Sequence, residues 1–330
     1  MLFRCVIYSF IVIILINEFS AKGFRAIFIP NTNVEITRIN DATNSFIKTL
    51  CGKSQPEFTD NGSIENYPWA VSITEKGKNK LGGVIISPLH ILTAAHPFVR
   101  FTGLQVSPCQ SRGYRSFDEL QNRSVAYGGK CIRGRMPDLP NHPLCEVSDM
   151  QVNKIRSVVV DNDFAMSSCT DGHDWAIVEL ERPLIFTSKV RPICLPRPDQ
   201  DVQELLTIFG WGRTNVFNES HPYLRETPMR RDPDCRAPWS DDMPTKAYDY
   251  VCTKSLRPDD YEAPRTCHGD SGSGMQQKDE NGTAILIGIT SFGTKGCPPN
   301  ELARFTRVDR YLYEICVITG VCYSLNYTIY

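Results

Sequence analysis

The sequence predicts an all-β protein. Two observations carry this: short β-rich runs recur along the chain between turn signals, and Gly 22 with Pro 22 supplies many places to reverse direction. The runs are AVSI at 70–73, GGVIIS at 82–87, LHILTAA at 89–95, KIRSVVV at 154–160, DWAIVEL at 174–180, LLTIFGWG at 205–212, AILIGITSFG at 284–293 and RFTRV at 304–308. Such spacing fits a sandwich or a barrel. Residues 309–318, DRYLYEICVI, are expected to close the fold as a short helix. Residues 97–150, rich in Gly, Pro, Arg and Cys, read as a long surface insertion, and no internal repeat is visible.

The 330 residues carry 36 Lys and Arg against 37 Asp and Glu, a formal net charge of −1. That balance gives no basis for nucleic-acid binding or a polybasic membrane contact. At 41% hydrophobic and 22% charged the chain is globular in composition. Residues 1–21 have the pattern of a secretory signal peptide: Arg4, an apolar run from Val6 to Ile16, then the small pair Ser20 and Ala21. A signal anchor is the alternative, but the run is short for a span and no later segment is long enough. Residues 22–58 lack a strong period and read as a leader or pro-segment, followed by a main domain at 59–318 and a tail at 319–330.

There are thirteen cysteines, and loss of Cys5 with the signal leaves an even set, as disulfides in an oxidising compartment require. The absence of a CxxC pair argues against structural zinc, and no metal or cofactor is expected. Sequons at Asn61, Asn122, Asn218, Asn281 and Asn326 are candidate glycosylation sites.

Three motifs carry candidate chemistry. LTAAH ends in His96, HDWAIVEL contains Asp174, and CHGDSGSG contains Ser271. A serine hydroxyl is a poor nucleophile until an imidazole takes its proton. The imidazole in turn needs a carboxylate to fix its tautomer. A tight turn at Gly269–Ser271 could aim two backbone N–H groups at a developing oxyanion.

In the order His, Asp, Ser, these motifs resemble the chymotrypsin/trypsin family of serine proteases. PWAVSI at 68–73, GGVIISPLHILTAAH at 82–96, RPICLP at 191–196, GWG at 210–212, SFG at 291–293 and the RVDRYLYEI tail extend the likeness from about Asn61 to Ile318. The resemblance implies two six-stranded antiparallel β-barrels with a cleft between them. It implies His96 as general base and acid, Asp174 as its orienting carboxylate and Ser271 as nucleophile. Gly269 and Ser271 would be oxyanion donors, and Ser291, Phe292 and Gly293 the edge that pairs with substrate. It also implies the bridges Cys51–Cys194, Cys235–Cys252 and Cys267–Cys297. Cys109, Cys131, Cys145, Cys169, Cys316 and Cys322 stay unassigned. Leu81 and Pro97 stand where the family has a bridged cysteine pair near the His loop, and insertion disulfides are a conceivable substitute.

Two places depart from the family. Relatives are cut after a basic residue, and the new chain-end ammonium pairs with the Asp beside the nucleophile, here Asp270. The aligned stretch here, Phe58-Thr59-Asp60-Asn61-Gly62, has no basic-apolar junction, and a cut at Lys53 would give a poor insertion peptide. Either another cation satisfies Asp270 or the protein stays in a zymogen-like state. Arg265 stands at the expected floor of the primary pocket and Ala303 on its wall. A cationic floor would favour acidic side chains; alternatively Arg265 points away or pairs with Glu262. The expectation is a secreted, monomeric, cofactor-free serine endopeptidase acting on protein or peptide substrates and open to protein inhibitors. The alternative is a protease-fold protein of weak or no activity that binds or regulates a partner. An α/β esterase would need the opposite residue order.

Overall fold

The computed structural model describes residues 26–29, 36–54, 66–102, 110–132, 145, 148–166, 172–213, 222–235, 248–294 and 296–325. The signal-peptide stretch, the junction at 58–62, Cys109, Cys169, Asn61, Asn218 and Asn326 lie outside them. No helix among the described residues is long and apolar enough to cross a membrane.

Strands of the N-terminal half are β1 (Ala26–Ile29), β2 (Ala70–Glu75), β3 (Lys78–Ile85), β4 (His90–Thr93), β5 (Val99–Thr102), β6 (Gln110–Tyr114), β7 (Arg123–Tyr127), β8 (Gln151–Asp161) and β9 (Ala176–Leu180). Strands β8, β7, β2, β3, β4 and β9 pair in that order, and β9 closes back on β8, all antiparallel. β1 adds to the outside of β8, and β5 and β6 form a separate ribbon. The C-terminal half is a second closed barrel: β10 (Leu205–Gly210), β11 (Arg225–Asp232), β12 (Tyr250–Ser255), β15 (Ala303–Arg307), β14 (Ala284–Gly293) and β13 (Gly274–Lys278). The all-β architecture of two six-stranded barrels is therefore present, and closure leaves neither barrel an open edge.

Each barrel is held by inward-facing aliphatic and aromatic side chains. Ile73, Val84, Ile91, Val125, Val158 and Val178 are fully buried in the first, and Ile208, Met275 and Phe305 are at most 1% exposed in the second. The larger apolar cluster continues across the seam through Phe209, Trp211, Leu286 and Ile289. Trp69 Nε1 also donates to Gln276 Oε1 across the seam at 2.9 Å.

The stretch 97–150 needs correction as a pure surface insertion. Its β7 is a barrel strand that pairs with both β2 and β8, and Val125, fully buried, joins the apolar core. The flanking charges of this short strand hide its alternation. The remainder of the stretch supplies β5, β6 and α2 (Phe117–Gln121), the last capped by a Ser116–Glu119 capping box.

The leader is also less featureless than its composition suggests. α1 (Asp41–Leu50) starts at Asn40, whose side chain accepts from Thr43 N, with Asp41 in the first turn and Lys48 in the last. Ile47 is buried, and Cys51 is bonded to Cys194. Cys322 N donates to Asn44 Oδ1 and Ile39 N to Thr319 O, which fasten this segment to the C-terminal helix, Leu312–Thr319. Cys316–Cys322 staples the helix to the tail, and Cys131–Cys145 closes a loop in the 97–150 stretch.

Replacing Phe305 with Ala should cost about 3–5 kcal/mol, because it empties a fully enclosed aromatic site. Ile185, 82% exposed, should cost no more than about 0.5 kcal/mol on the same change. Urea unfolding of the two variants measures the contrast.

Candidate active site

The three motif residues come from separate elements at the barrel seam. His96 follows β4 after two fully buried alanines, Asp174 precedes β9, and Ser271 lies in the loop before β13. Their side chains meet. His96 Nδ1 lies 2.8 Å from Asp174 Oδ2, and His96 Nε2 lies 2.9 Å from Ser271 Oγ. With the Nδ1 proton directed to the carboxylate, Nε2 is free to accept the serine proton.

Asp174 is wholly buried, so its charge depends on donors. Oδ1 accepts from the backbone N–H groups of Ala95 and His96, each at 2.8 Å. Oδ2 accepts from Ser291 Oγ at 2.5 Å besides facing the imidazole. Burial pushes the carboxyl up, but the His96 charge and the bonds from His96 and Ser291 outweigh it and hold it below the usual carboxylate range.

Ser291 reaches this position through a β-bulge. The β14–β15 register shifts between Thr290 and Gly293, which re-aims the side chain toward Asp174. Ser291 was read from its motif as part of a substrate edge; the hydroxyl contact to Asp174 had no signal of its own. Phe292 stacks on the His96 ring at 5.3 Å between centroids, and Gly293 is exposed at the strand end.

Two glycines let the barrels approach at Ser271. A Cβ on Gly82 would stand 2.1 Å from Ser273 Oγ, and one on Gly272 would stand 2.1 Å from Thr93 Oγ1. Gly272 also has φ +78°, a conformation that favours glycine. Gly82 N donates to Ser271 O at 2.7 Å, so the backbone of Ser271 is fixed from the first barrel. Gly269 has φ +94°. Among the described residues, neither its N–H nor that of Ser271 has a protein acceptor, which leaves both available to an oxyanion.

Around the site, Cys267–Cys297 and Cys235–Cys252 are bonded. Leu81, which stands where the family has a cysteine, is fully buried, and Pro97 offers its carbonyl to Arg115 Nε at 2.8 Å and Arg123 Nη1 at 3.3 Å. These arginines, not the Cys131–Cys145 bridge, hold the loop after His96; that bridge lies by Tyr223, where Cys131 makes its β-bridge.

Arg265 is 3% exposed and does not pair with Glu262. Nη1 donates to the carbonyls of Tyr261, at 2.6 Å, and Ala263, at 3.0 Å, while Nε donates to Cys297 O. Its charge is therefore met by carbonyl dipoles. Ala303 is buried on β15, paired with Thr253 and Gly293. Asp270 is buried too, and Arg225 approaches it, a residue that no motif marks. For metals, Asp161, Asp163 and His173 bring one ligand atom each within 4.8 Å of one another, but His173 Nδ1 is engaged by Asp161 at 2.9 Å.

A family model for Trypsin matches residues 129–315, more than half of the chain, and the chain belongs to that family. It is 27% identical over 285 residues to CLIP domain-containing serine protease B8 of Anopheles gambiae, covering 78% of this chain and 64% of that protein. It is 28% identical over 303 residues to the proclotting enzyme of Tachypleus tridentatus, covering 86% of this chain and 69% of the relative. The chain thus spans about two thirds of these curated relatives' length. Among solved structures, human heparin binding protein superposes with a TM-score of 0.56 over 78% of this chain and 94% of its own, at 20% identity, and shares the fold.

Removing the Ser291 hydroxyl should test the support of Asp174. Ser291→Ala should lose about 1–3 kcal/mol of stability at neutral pH, the cost of a missing donor to a buried charge. A carboxyl held below its unfolded value contributes stability above that value and loses it as the pH falls. The gap to the wild type should therefore close in acid, below about pH 4, in urea unfolding at stepped pH.

Proposed function

We propose that this chain is a secreted serine endopeptidase that cleaves protein or peptide substrates through an acyl-enzyme. The observation that carries the reading is the unbroken contact from Asp174 through His96 to Ser271. In this mechanism Ser271 Oγ attacks the scissile carbonyl while His96 Nε2 takes its proton. The N–H groups of Gly269 and Ser271 receive the oxyanion, and His96 then protonates the leaving amine. Water repeats the sequence in reverse to release the acid. Asp174 stabilises the imidazolium throughout without itself taking the proton. Only side chains and backbone take part, so no cofactor enters.

Secretion is supported by five disulfides among the described residues and by the leading apolar segment. Asn122 and Asn281 are exposed at the end of α2 and in a turn, positions that accept a glycan. Residues 22–58 act as a leader tethered by Cys51, 59–318 as the peptidase domain, and 319–330 as a tail.

A fluorophosphonate probe tests the activity. The secreted chain should label, and Ser271→Ala should abolish labelling. Asp174→Asn should slow turnover by about 10⁴-fold by favouring the wrong tautomer. Failure of the folded wild type to label would favour the alternative of a binding or regulatory partner, a reading that rests on the missing basic-apolar junction at 58–62.

Arg265 sets the specificity of this reading. Its buried guanidinium is bonded to the carbonyl oxygens of Tyr261, Ala263 and Cys297, so a basic substrate side chain would meet like charge there. A peptide-library digest should show Lys and Arg disfavoured at the cleaved position and Asp or Glu preferred. Preferred cleavage after Lys or Arg would overturn the assignment of Arg265.

A further inference from the structure

Asp270, the neighbour of Ser271, is 3% exposed. Its Oδ1 accepts from Gly212 N at 2.8 Å and its Oδ2 from Cys267 N at 3.0 Å. The fit is tight: a Cβ on Gly212 would stand 2.2 Å from the Asp270 carboxyl carbon. Two amides do not neutralise a buried carboxylate, and burial leaves this carboxyl above its ordinary range despite their help and that of Arg225.

The remaining charge is met from β11. Arg225 Nη2 lies 3.7 Å from Asp270 Oδ2, with the arginine side chain 11% exposed. The same nitrogen donates to the carbonyls of Gly212, at 2.9 Å, and Arg213, at 3.1 Å. One guanidinium therefore joins the carboxylate to the chain segment that runs over it. Asn79 Nδ2 adds bonds to Gly269 O at 3.0 Å and Trp211 O at 3.3 Å. Segments 211–213 and 267–271 thus form one polar unit behind the nucleophile.

We propose that Arg225 is the built-in counter-ion of Asp270 and holds the Gly269–Ser271 donor loop in place in the uncut chain. Arg225 touches no reacting atom; it is a positioning residue that acts through Asp270. The chain then needs no new terminal ammonium to assemble the loop, which answers the missing basic-apolar junction. The proposal deepens the peptidase reading and rests on it for its catalytic consequence.

The test uses secreted chain whose intact mass and N-terminal sequence show no cut between Lys53 and Trp69. The uncut wild type should label with the fluorophosphonate. Arg225→Gln should slow labelling by about 100-fold, the scale of a lost oxyanion donor. Arg225→Lys, which keeps the charge, should recover more of the rate than Gln. In an Asp270→Asn background, Arg225→Gln should slow labelling little further, since the charge it serves is gone. Hydrogen exchange in the Ser271→Ala background gives a readout free of activity. There Arg225→Gln should speed exchange at Gly212 and Cys267 while β14 amides stay protected.

Equal labelling of uncut wild type and Arg225→Gln would overturn the proposal. So would wild-type labelling that appears only after cleavage, which would leave the peptidase reading standing. If no form labels, yet Gly212 and Cys267 still depend on Arg225, the peptidase reading falls and the counter-ion remains. If their exchange is indifferent to Arg225, the counter-ion falls as well.

Discussion

The seam between the barrels is organised around one buried charge. Asp174 has no access to solvent, and an isolated carboxylate there would be prohibitively unstable. The chain offers it two backbone N–H groups from the turn after β4, one hydroxyl from the bulge in β14 and the His96 ring. Three separated parts of the sequence must arrive together for that charge to be tolerated. The same donors fix the turn that carries His96, so satisfying the carboxylate also orients the imidazole. Folding and site geometry are consequently the same event at this point.

Ser271 is positioned by a different means, close backbone approach. Gly82 and Gly272 remove the Cβ atoms that would keep the barrels apart, and the Gly82 N–H then takes the Ser271 carbonyl. Trp69 and Gln276 add a polar link farther along the seam. A rigid first barrel thus reaches across to hold the loop of the second. This arrangement suits a proton transfer that depends on a separation of 2.9 Å between His96 and Ser271.

Much of this was legible in the sequence because apolar strands and short motifs speak locally. The runs that become β2, β3, β4, β8, β9, β10 and β14 are rich in branched aliphatic residues and bury at least one face. The strands that escaped notice bury polar residues or expose charged ones. β13, GMQQK, hides Gln276 and Gln277 by giving them the Trp69 indole and the Gln203 N–H as partners. β11, RETPMRRD, buries Thr227 and Met229 among charged neighbours, of which Arg230 is exposed. β7 is flanked by polar residues that mask Val125 and Ala126. The contacts of Arg225 with Asp270 and of the Ser291 hydroxyl with Asp174 could not be read, because no local motif joins partners so far apart along the chain. Arg265 was legible as a cation shortly before Ser271, but its burial and its anchoring to carbonyls required coordinates.

Two buried carboxylates flank the candidate nucleophile, and their unequal treatment is informative. Asp174 has more donors, and its acidity is strengthened. Asp270 has two amides and a guanidinium at 3.7 Å, and burial still prevails. A strongly satisfied carboxylate suits a fixed orienting role, because it stays ionised while the imidazole changes charge. A weakly satisfied one suits a support whose strength depends on its counter-ion, since losing that partner costs more than the pair contributes. The loop carrying Gly269 and Ser271 is joined to the second kind. Its order is thus set by how well one guanidinium reaches one carboxylate, an interaction formed as β10 and β11 pair.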